Sequence, residues 1–156
     1  MQEFTVRLEP LRGRLFRTAL AILGSSSAAE EALDEAVFRG LGSCGRLREP
    51  EYFPTWLTRI LLNVCTDEKR RHKRELPVET LPETGAEAFD ALPVRQAVGK
   101  LTGELREVVV LRFVSGYTLT ETAEILGIPT GTVSSRQRRA LALLRVELEE
   151  EETAYE

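Results

Sequence analysis

Apolar residues recur at steps of three and four through both halves of this chain, a period that suits helices packed on helices and points to an all-α fold. In the first half Phe4, Leu8, Leu11, Leu15, Ala19, Ile22 and Leu23 share one face, and Gly24 supplies the stop, so the spacing predicts one helix. Ser27, with Glu30 three residues later, has the form of a capping box opening a second helix. Its apolar face is Ala29, Ala32, Leu33, Ala36 and Val37, and Gly40, Gly42 and Gly45 mark its end. A third helix begins around Pro50 and Pro54. Phe53, Trp56, Leu57, Ile60, Leu61, Val64 and Cys65 give it a broad buried stripe, and it runs out into Lys69, Arg70, Arg71, His72, Lys73 and Arg74.

The second half is more specific. Residues 94–101 and 105–113 read as two short amphipathic helices, with Gly116 closing the second. A helix over residues 119–126, the turn Gly127, Ile128 and Pro129, and a helix over residues 130–148 make a helix-turn-helix pattern. Ala123 fits the small residue at the helix crossing, Ile128 the buried turn residue and Val133 the apolar anchor of the recognition helix. Ser134, Ser135, Arg136, Arg138 and Arg139 are expected to face outward. Arg offers bidentate donors to guanine edges and charge to phosphates, and Ser serves either. The helix start, with Thr132, adds backbone N–H groups suited to a phosphate.

A net charge of −4 looks wrong for a nucleic-acid binder until it is divided along the chain. Residues 1–75 hold 13 basic and 11 acidic residues, residues 76–92 none and four, residues 93–145 eight and four, and residues 146–156 none and six. Two basic modules are thus separated by an acidic connector and followed by an acidic tail, an asymmetry that favours nucleic-acid contact. The connector carries Pro77, Pro82 and Gly85 and is expected to be extended and mobile.

Other classes are excluded in turn. With 42% apolar residues the chain can pack a core. Its apolar runs, such as residues 60–64 and 108–111, fall far short of the roughly 20 residues of a bilayer span, and its start lacks a signal peptide's pattern. A cytoplasmic protein without membrane insertion is expected. Cys44 and Cys65 lack the close spacing of a zinc or redox motif and are expected as reduced thiols. Glu30, Glu31, Asp34 and Glu35 could be imagined as metal ligands, but no His accompanies them, and a solvated helix face is the plainer account. Trp56 could stack on a base, yet its stripe favours core packing. His72 has no ligand partner at usable spacing. Five cations within residues 69–74 exceed what a helix end needs for its dipole, at about 0.3–1 kcal/mol each, which favours DNA phosphates as their partners. Without a phosphate loop, nucleophile elbow or ligand cluster, no enzyme activity, cofactor, metal or small-molecule substrate is expected.

In order and spacing these residues resemble an extracytoplasmic-function (ECF) sigma factor of bacterial RNA polymerase, the group that keeps only domains two and four of larger sigma factors. The resemblance covers about residues 4–148. It is carried by residues 29–38, by Trp56, Leu57, Thr58, Arg59 and Ile60 with Asn63, by residues 69–74, and by residues 106–111 and 119–127. Gly131, Thr132, Val133, Ser134, Ser135 and Arg136, with Arg139 and Ala140, complete it. Asp34 stands where the family commonly has Gln, and Thr122 where Ile is usual.

The resemblance implies domain two over residues 1–75, a linker over 76–92, domain four over 93–148 and an acidic tail over 149–156. It implies that Glu30, Glu31, Asp34, Glu35 and Phe38 dock on core RNA polymerase. Domain four would read the upstream promoter element through Thr132, Ser134, Ser135, Arg136, Arg138 and Arg139. Domain two would read and open the downstream element, with Arg59, Asn63, Lys69, Arg70, Arg71 and Arg74 on the DNA and a pocket for an unstacked base formed by residues 40–53 and the start of the third helix, Asn63 being its polar contact. Promoter DNA and an anti-sigma factor are the implied further partners. Two other readings compete. A sigma-like decoy that binds an anti-sigma protein would not need a basic recognition helix, and a plain helix-turn-helix repressor leaves the first module without a purpose.

Overall fold

The computed structural model describes residues 2–74 and 92–154, with the side chains of residues 2–71, 93–150 and 152. The connector, up to residue 91, lies outside the described residues. Among those described, every regular element is helical. The chain divides into two compact units, Met1–Glu83 and Thr84–Glu156.

In the first unit the leading apolar stripe is not one helix. Pro10 has no N–H to donate to Val6, and the chain tightens there into a 3-10 turn, Glu9–Leu11, between α1 (Gln2–Leu8) and α2 (Arg12–Leu23). Backbone angles stay right-handed helical at Leu8, Leu11 and Arg12, so Phe4, Leu8, Leu11 and Leu15 all remain buried. Gly24 ends α2 in the left-handed region at φ 77°, its N–H donating to the Leu20 carbonyl at 2.8 Å.

Helix α3 spans Ser26–Ser43, and its cap is Ser25 rather than Ser27. After the left-handed Gly24 the next residue is the extended one, and its Oγ accepts from the Ala28 N–H at 3.3 Å. Ser27 already lies in the first turn, so no capping box with Glu30 forms.

Nor does α3 end at Gly40. Its buried face is Ala29, Ala32, Leu33, Ala36 and Gly40, mostly small residues, which lets α2 and α4 (Phe53–Arg74) pack against it. A Cβ on Gly40 would sit 3.0 Å from Leu57 Cδ1 and 3.2 Å from the Phe4 ring. Both neighbours are buried, and Phe4 is also set edge-on against Phe53 at 5.3 Å, so neither has room to yield. Gly40→Ala is therefore expected to lose about 1 kcal/mol net, overpacking outweighing the gain in helix propensity. Gly42, helical and with open space at its Cβ, should gain about 0.5–1 kcal/mol on the same change. Urea midpoints of the two variants, shifted in opposite directions, check this.

Helix α4 buries Phe53, Leu57, Thr58, Leu61, Leu62, Val64 and Cys65. Trp56 and Ile60, expected on that stripe, are only half-buried. A 3-10 turn, Pro50–Tyr52, leads into the helix. Arg39 joins α3 to α4, its Nε 2.9 Å from Glu35 and its Nη1 3.4 Å from Asp67. The hydrogen bond it donates to Glu35, and then that to Asp67, raises the pKa of this guanidinium above its usual range. Cys44, in the turn Cys44–Arg46, is half-buried with its Sγ 3.4 Å from the Leu41 carbonyl.

The second unit starts with α5 (Leu92–Lys100) and α6 (Gly103–Val109). Arg106 clasps the end of α5, its guanidinium donating to the carbonyls of Val98, Gly99 and Leu101, and burial lowers its pKa. Beyond α6 the helix widens to a π turn, Val110–Val114, where the Ser115 N–H reaches back to the Val110 carbonyl at 2.8 Å. The widening keeps four successive apolar residues, Val108, Val109, Val110 and Leu111, buried. Gly116, at φ 75°, then turns the chain into the buried Tyr117.

Helix α7 (Leu119–Leu126) opens on a true capping box. Thr118 Oγ1 accepts from the Glu121 N–H at 3.1 Å, and the Glu121 carboxylate accepts from the Thr118 N–H at 3.0 Å. Gly127, at φ 67°, ends α7, and α8 runs over Thr130–Ala154, past the expected stop at residue 148. The acidic residues extend this helix instead of leaving it, since Glu is a good helix former, with Arg145 and Glu149 paired at 3.1 Å and Glu147 paired with Lys100.

Thr122 is fully buried on α7, and its Oγ1 has no hydrogen-bond partner among the described residues. A hydroxyl in that position costs roughly 1–3 kcal/mol relative to a methyl group. Thr122→Val, which keeps the shape, is expected to stabilise the second unit by about 1 kcal/mol, read as a rise in the thermal midpoint.

Candidate functional site

The recognition helix is set in place from its buried side. Val133 on α8 is fully buried against Val108 of α6 and Ala123 of α7, with Leu119, Leu126 and Ile128 packed around them. This anchoring fixes which side of α8 meets solvent. Ser135, Arg138 and Arg139 are exposed, while Thr132, Ser134 and Arg136 are half-buried. Arg136 turns toward α6, its Nη2 3.6 Å from Glu104. Gln137, absent from the sequence-derived residues, is held from the other side: its Oε1 accepts from Arg112 Nε at 2.8 Å, and Arg112 Nη1 donates to the Tyr117 carbonyl at 2.6 Å. No local spacing could have shown this contact, which joins residues 25 apart.

In the first unit one stripe of α4 gathers three of the six expected DNA residues. Arg59, Asn63 and Arg70 are exposed, at steps of four and seven that keep them on one helix face over about 16 Å. Half-buried Trp56, its ring 5.8 Å from that of Phe53, heads the same stripe. Arg71 is exposed but turned to Glu68, with which it pairs, and Lys69 is half-buried. Arg74 ends the helix, its side chain outside the described residues.

An open pocket of about 290 Å³ does lie between the segment leading into α4 and α1, lined by Phe4, Arg7, Cys44, Leu47, Arg48 and Phe53 among others. Asn63 is not among its lining residues. It stands ten residues beyond Phe53 on a straight run of helix, roughly 15 Å away, so the pocket and the expected polar contact are separate features. Conversely α1, which supplies Phe4 and Arg7, was missed as a wall of the pocket.

The carboxylates of α3 form the third surface. Glu30, Glu31, Asp34 and Glu35 are all exposed, and Phe38 is 73% exposed at the C-terminal end of the same face, roughly opposite the buried alanines. Leu41 extends the apolar strip along the same side. Glu35 is partly committed to Arg39, which leaves Glu30, Glu31 and Asp34 as the acidic part of the face that ends in Phe38. Among the described residues no group of His, Cys, Asp and Glu could hold a metal ion, and no helix is long and apolar enough to cross a membrane.

Two family models match the chain, Sigma-70 region 2 over residues 8–75 and Sigma-70, region 4 over residues 97–146. The ECF RNA polymerase sigma factor SigM of Mycobacterium tuberculosis is 34% identical over 136 residues, which cover 84% of this chain and 69% of that protein. The RNA polymerase sigma-E factor of Streptomyces antibioticus is 32% identical over 153 residues, covering 94% and 85%. Among solved structures, the sigma factor RpoE in complex with the anti-sigma factor NepR from Bartonella quintana has the same fold, with a TM-score of 0.85 at 22% identity over 96% of this chain and 98% of that one. CnrH in complex with the cytosolic domain of CnrY gives 0.75 at 24% identity, over 95% and 88%.

Proposed function

This chain belongs to the ECF sigma factors of bacterial RNA polymerase, and from that premise we propose how its surfaces divide the work of a transcription initiation factor. Sigma factors bind core RNA polymerase and promoter DNA, and the three surfaces suit those two partners. The α3 face, carboxylates ending in an exposed phenyl ring, docks on a basic surface of core polymerase. Helix α8 enters the major groove of the upstream promoter element, where Arg138 and Arg139 reach base edges or adjacent phosphates and Ser135 donates or accepts beside them. The α4 stripe lies along the downstream element, Arg59 and Arg70 on phosphates and Asn63 on a base.

The pocket beside the start of α4 takes a base extruded from that element. Extrusion costs a few kcal/mol, which stacking on an aromatic wall such as Phe53 or Phe4 offsets. The chemistry of RNA synthesis stays with the polymerase, so this chain is a cytoplasmic regulatory subunit and not an enzyme. The sigma factor RpoE of the same fold is held by the anti-sigma factor NepR, and an anti-sigma factor is the proposed regulator here.

One observation carries this reading: α8 is locked by the buried Val133 with Arg138 and Arg139 left exposed on its outer side. Transcription in vitro with core polymerase and genomic DNA tests it. Discrete new transcripts that depend on this chain are expected. Their absence, with retained binding to an anti-sigma protein, would instead establish a decoy.

A further inference from the structure

Arg136 differs from its neighbours on the recognition helix. Arg138 and Arg139 stand exposed, whereas the Arg136 side chain is 27% accessible and points at Glu104, whose own side chain is 73% accessible. Glu104 is the second residue of α6, in its first turn.

We infer that Glu104 is an intramolecular competitor for the Arg136 guanidinium: in the free protein it occupies the contact that a promoter phosphate takes in the complex. Glu104 thereby sets how tightly, and how sensitively to salt, the second unit binds its element. This rests on the promoter reading given above.

Two observations separate a competitor from a structural strut. At 3.6 Å the Arg136–Glu104 contact is longer than a hydrogen bond, and with Glu104 mostly in water it is a weak pair that a phosphate can displace. Arg106, two residues further along α6, shows what a strut looks like here, with three carbonyls bound by one guanidinium. The recognition helix, moreover, is already held by Val133 in the core and by Arg112 on Gln137, so its placement does not rely on Glu104.

The test uses the full chain bound to core polymerase, with a duplex promoter fragment from which that holoenzyme initiates. Binding is measured across a salt series for the parent, Glu104→Gln, Arg136→Ala and the double variant. Glu104→Gln is expected to bind about two- to fivefold tighter, the range an exposed ion pair corresponds to. Its affinity should fall more steeply with salt, because Arg136 no longer exchanges one anion for another. In the Arg136→Ala background the Glu104 change should do nothing. Equal affinity of parent and Glu104→Gln overturns the inference, as does an equal gain without Arg136, which would reduce Glu104 to a general repulsion of DNA. A parent holoenzyme that binds no duplex promoter counts against the promoter reading and this inference together. A parent that binds, with an unresponsive Glu104→Gln, counts against the inference alone.

Discussion

Replacing Arg138 and Arg139 together by alanine is expected to reduce initiation from duplex promoters roughly 30-fold to more than 1,000-fold. Each guanidinium on a base edge or phosphate contributes on the order of 1–3 kcal/mol, and the adjacent pair, coupled rather than strictly additive, about 2 to more than 4 kcal/mol together. Both side chains are exposed on a helix whose hold on the core comes from Val133 on its inner side, so the fold is untouched. The deficit should therefore be one of recognition. Scrambling the upstream element removes most of the parent's activity under this assignment and leaves the double variant indifferent. Transcription from intact and scrambled templates, run side by side, reads both effects. A double variant that still distinguishes the two templates would show that α8 does not read the element.

Phe38→Ala is expected to weaken binding to core polymerase by about 30-fold or more. Exposed aromatics that become the centre of an interface commonly account for 2 kcal/mol or beyond, whereas the polar residues around them matter more for association rate and salt response. At 73% exposure the ring contributes almost nothing to the fold, and the variant's stability should stay within about 0.5 kcal/mol of the parent. Neutralising Glu30, Glu31 and Asp34 should act differently, slowing association at low salt and converging on the parent as salt rises. Anisotropy titrations of labelled chain with core polymerase separate the two. An unchanged affinity for Phe38→Ala, with stability also unchanged, would place the polymerase contact on another face.

Much of this molecule was legible as pattern. The 3.6-residue period is imposed by helix geometry wherever one side must be buried, so the stripes of α2, α4 and α6 could be read without knowing what they pack on. The turn of the helix-turn-helix was equally local: Gly127 takes a left-handed conformation, Val133 follows at the spacing that points it back to Ala123, and both are determined by residues close in sequence. The same holds for the segregation of charge. A capping box at Thr118 and Glu121 is also written in the sequence, and the spacing of Ser27 and Glu30 imitates it. Three successive serines offer the same chemistry, and only the backbone after Gly24 selects Ser25.

What only the tertiary structure decided are relations between distant residues. Gly40 looks like a helix stop because glycine favours that role, yet a Cβ there would crowd Leu57 and Phe4 from two other helices. Phe4 and Arg7 line the pocket beside the loop, while Asn63 stands too far along the rigid α4 to join them. Five serine and arginine positions on α8, Ser134, Ser135, Arg136, Arg138 and Arg139, appeared equivalent by helical register, but Glu104 draws Arg136 aside, while Arg112 takes the neighbouring Gln137. The physical reason is range. Period, caps and turns follow from interactions within about one helical turn, which the sequence displays directly, whereas close approach and side-chain pairing depend on which faces meet, and only packing determines that.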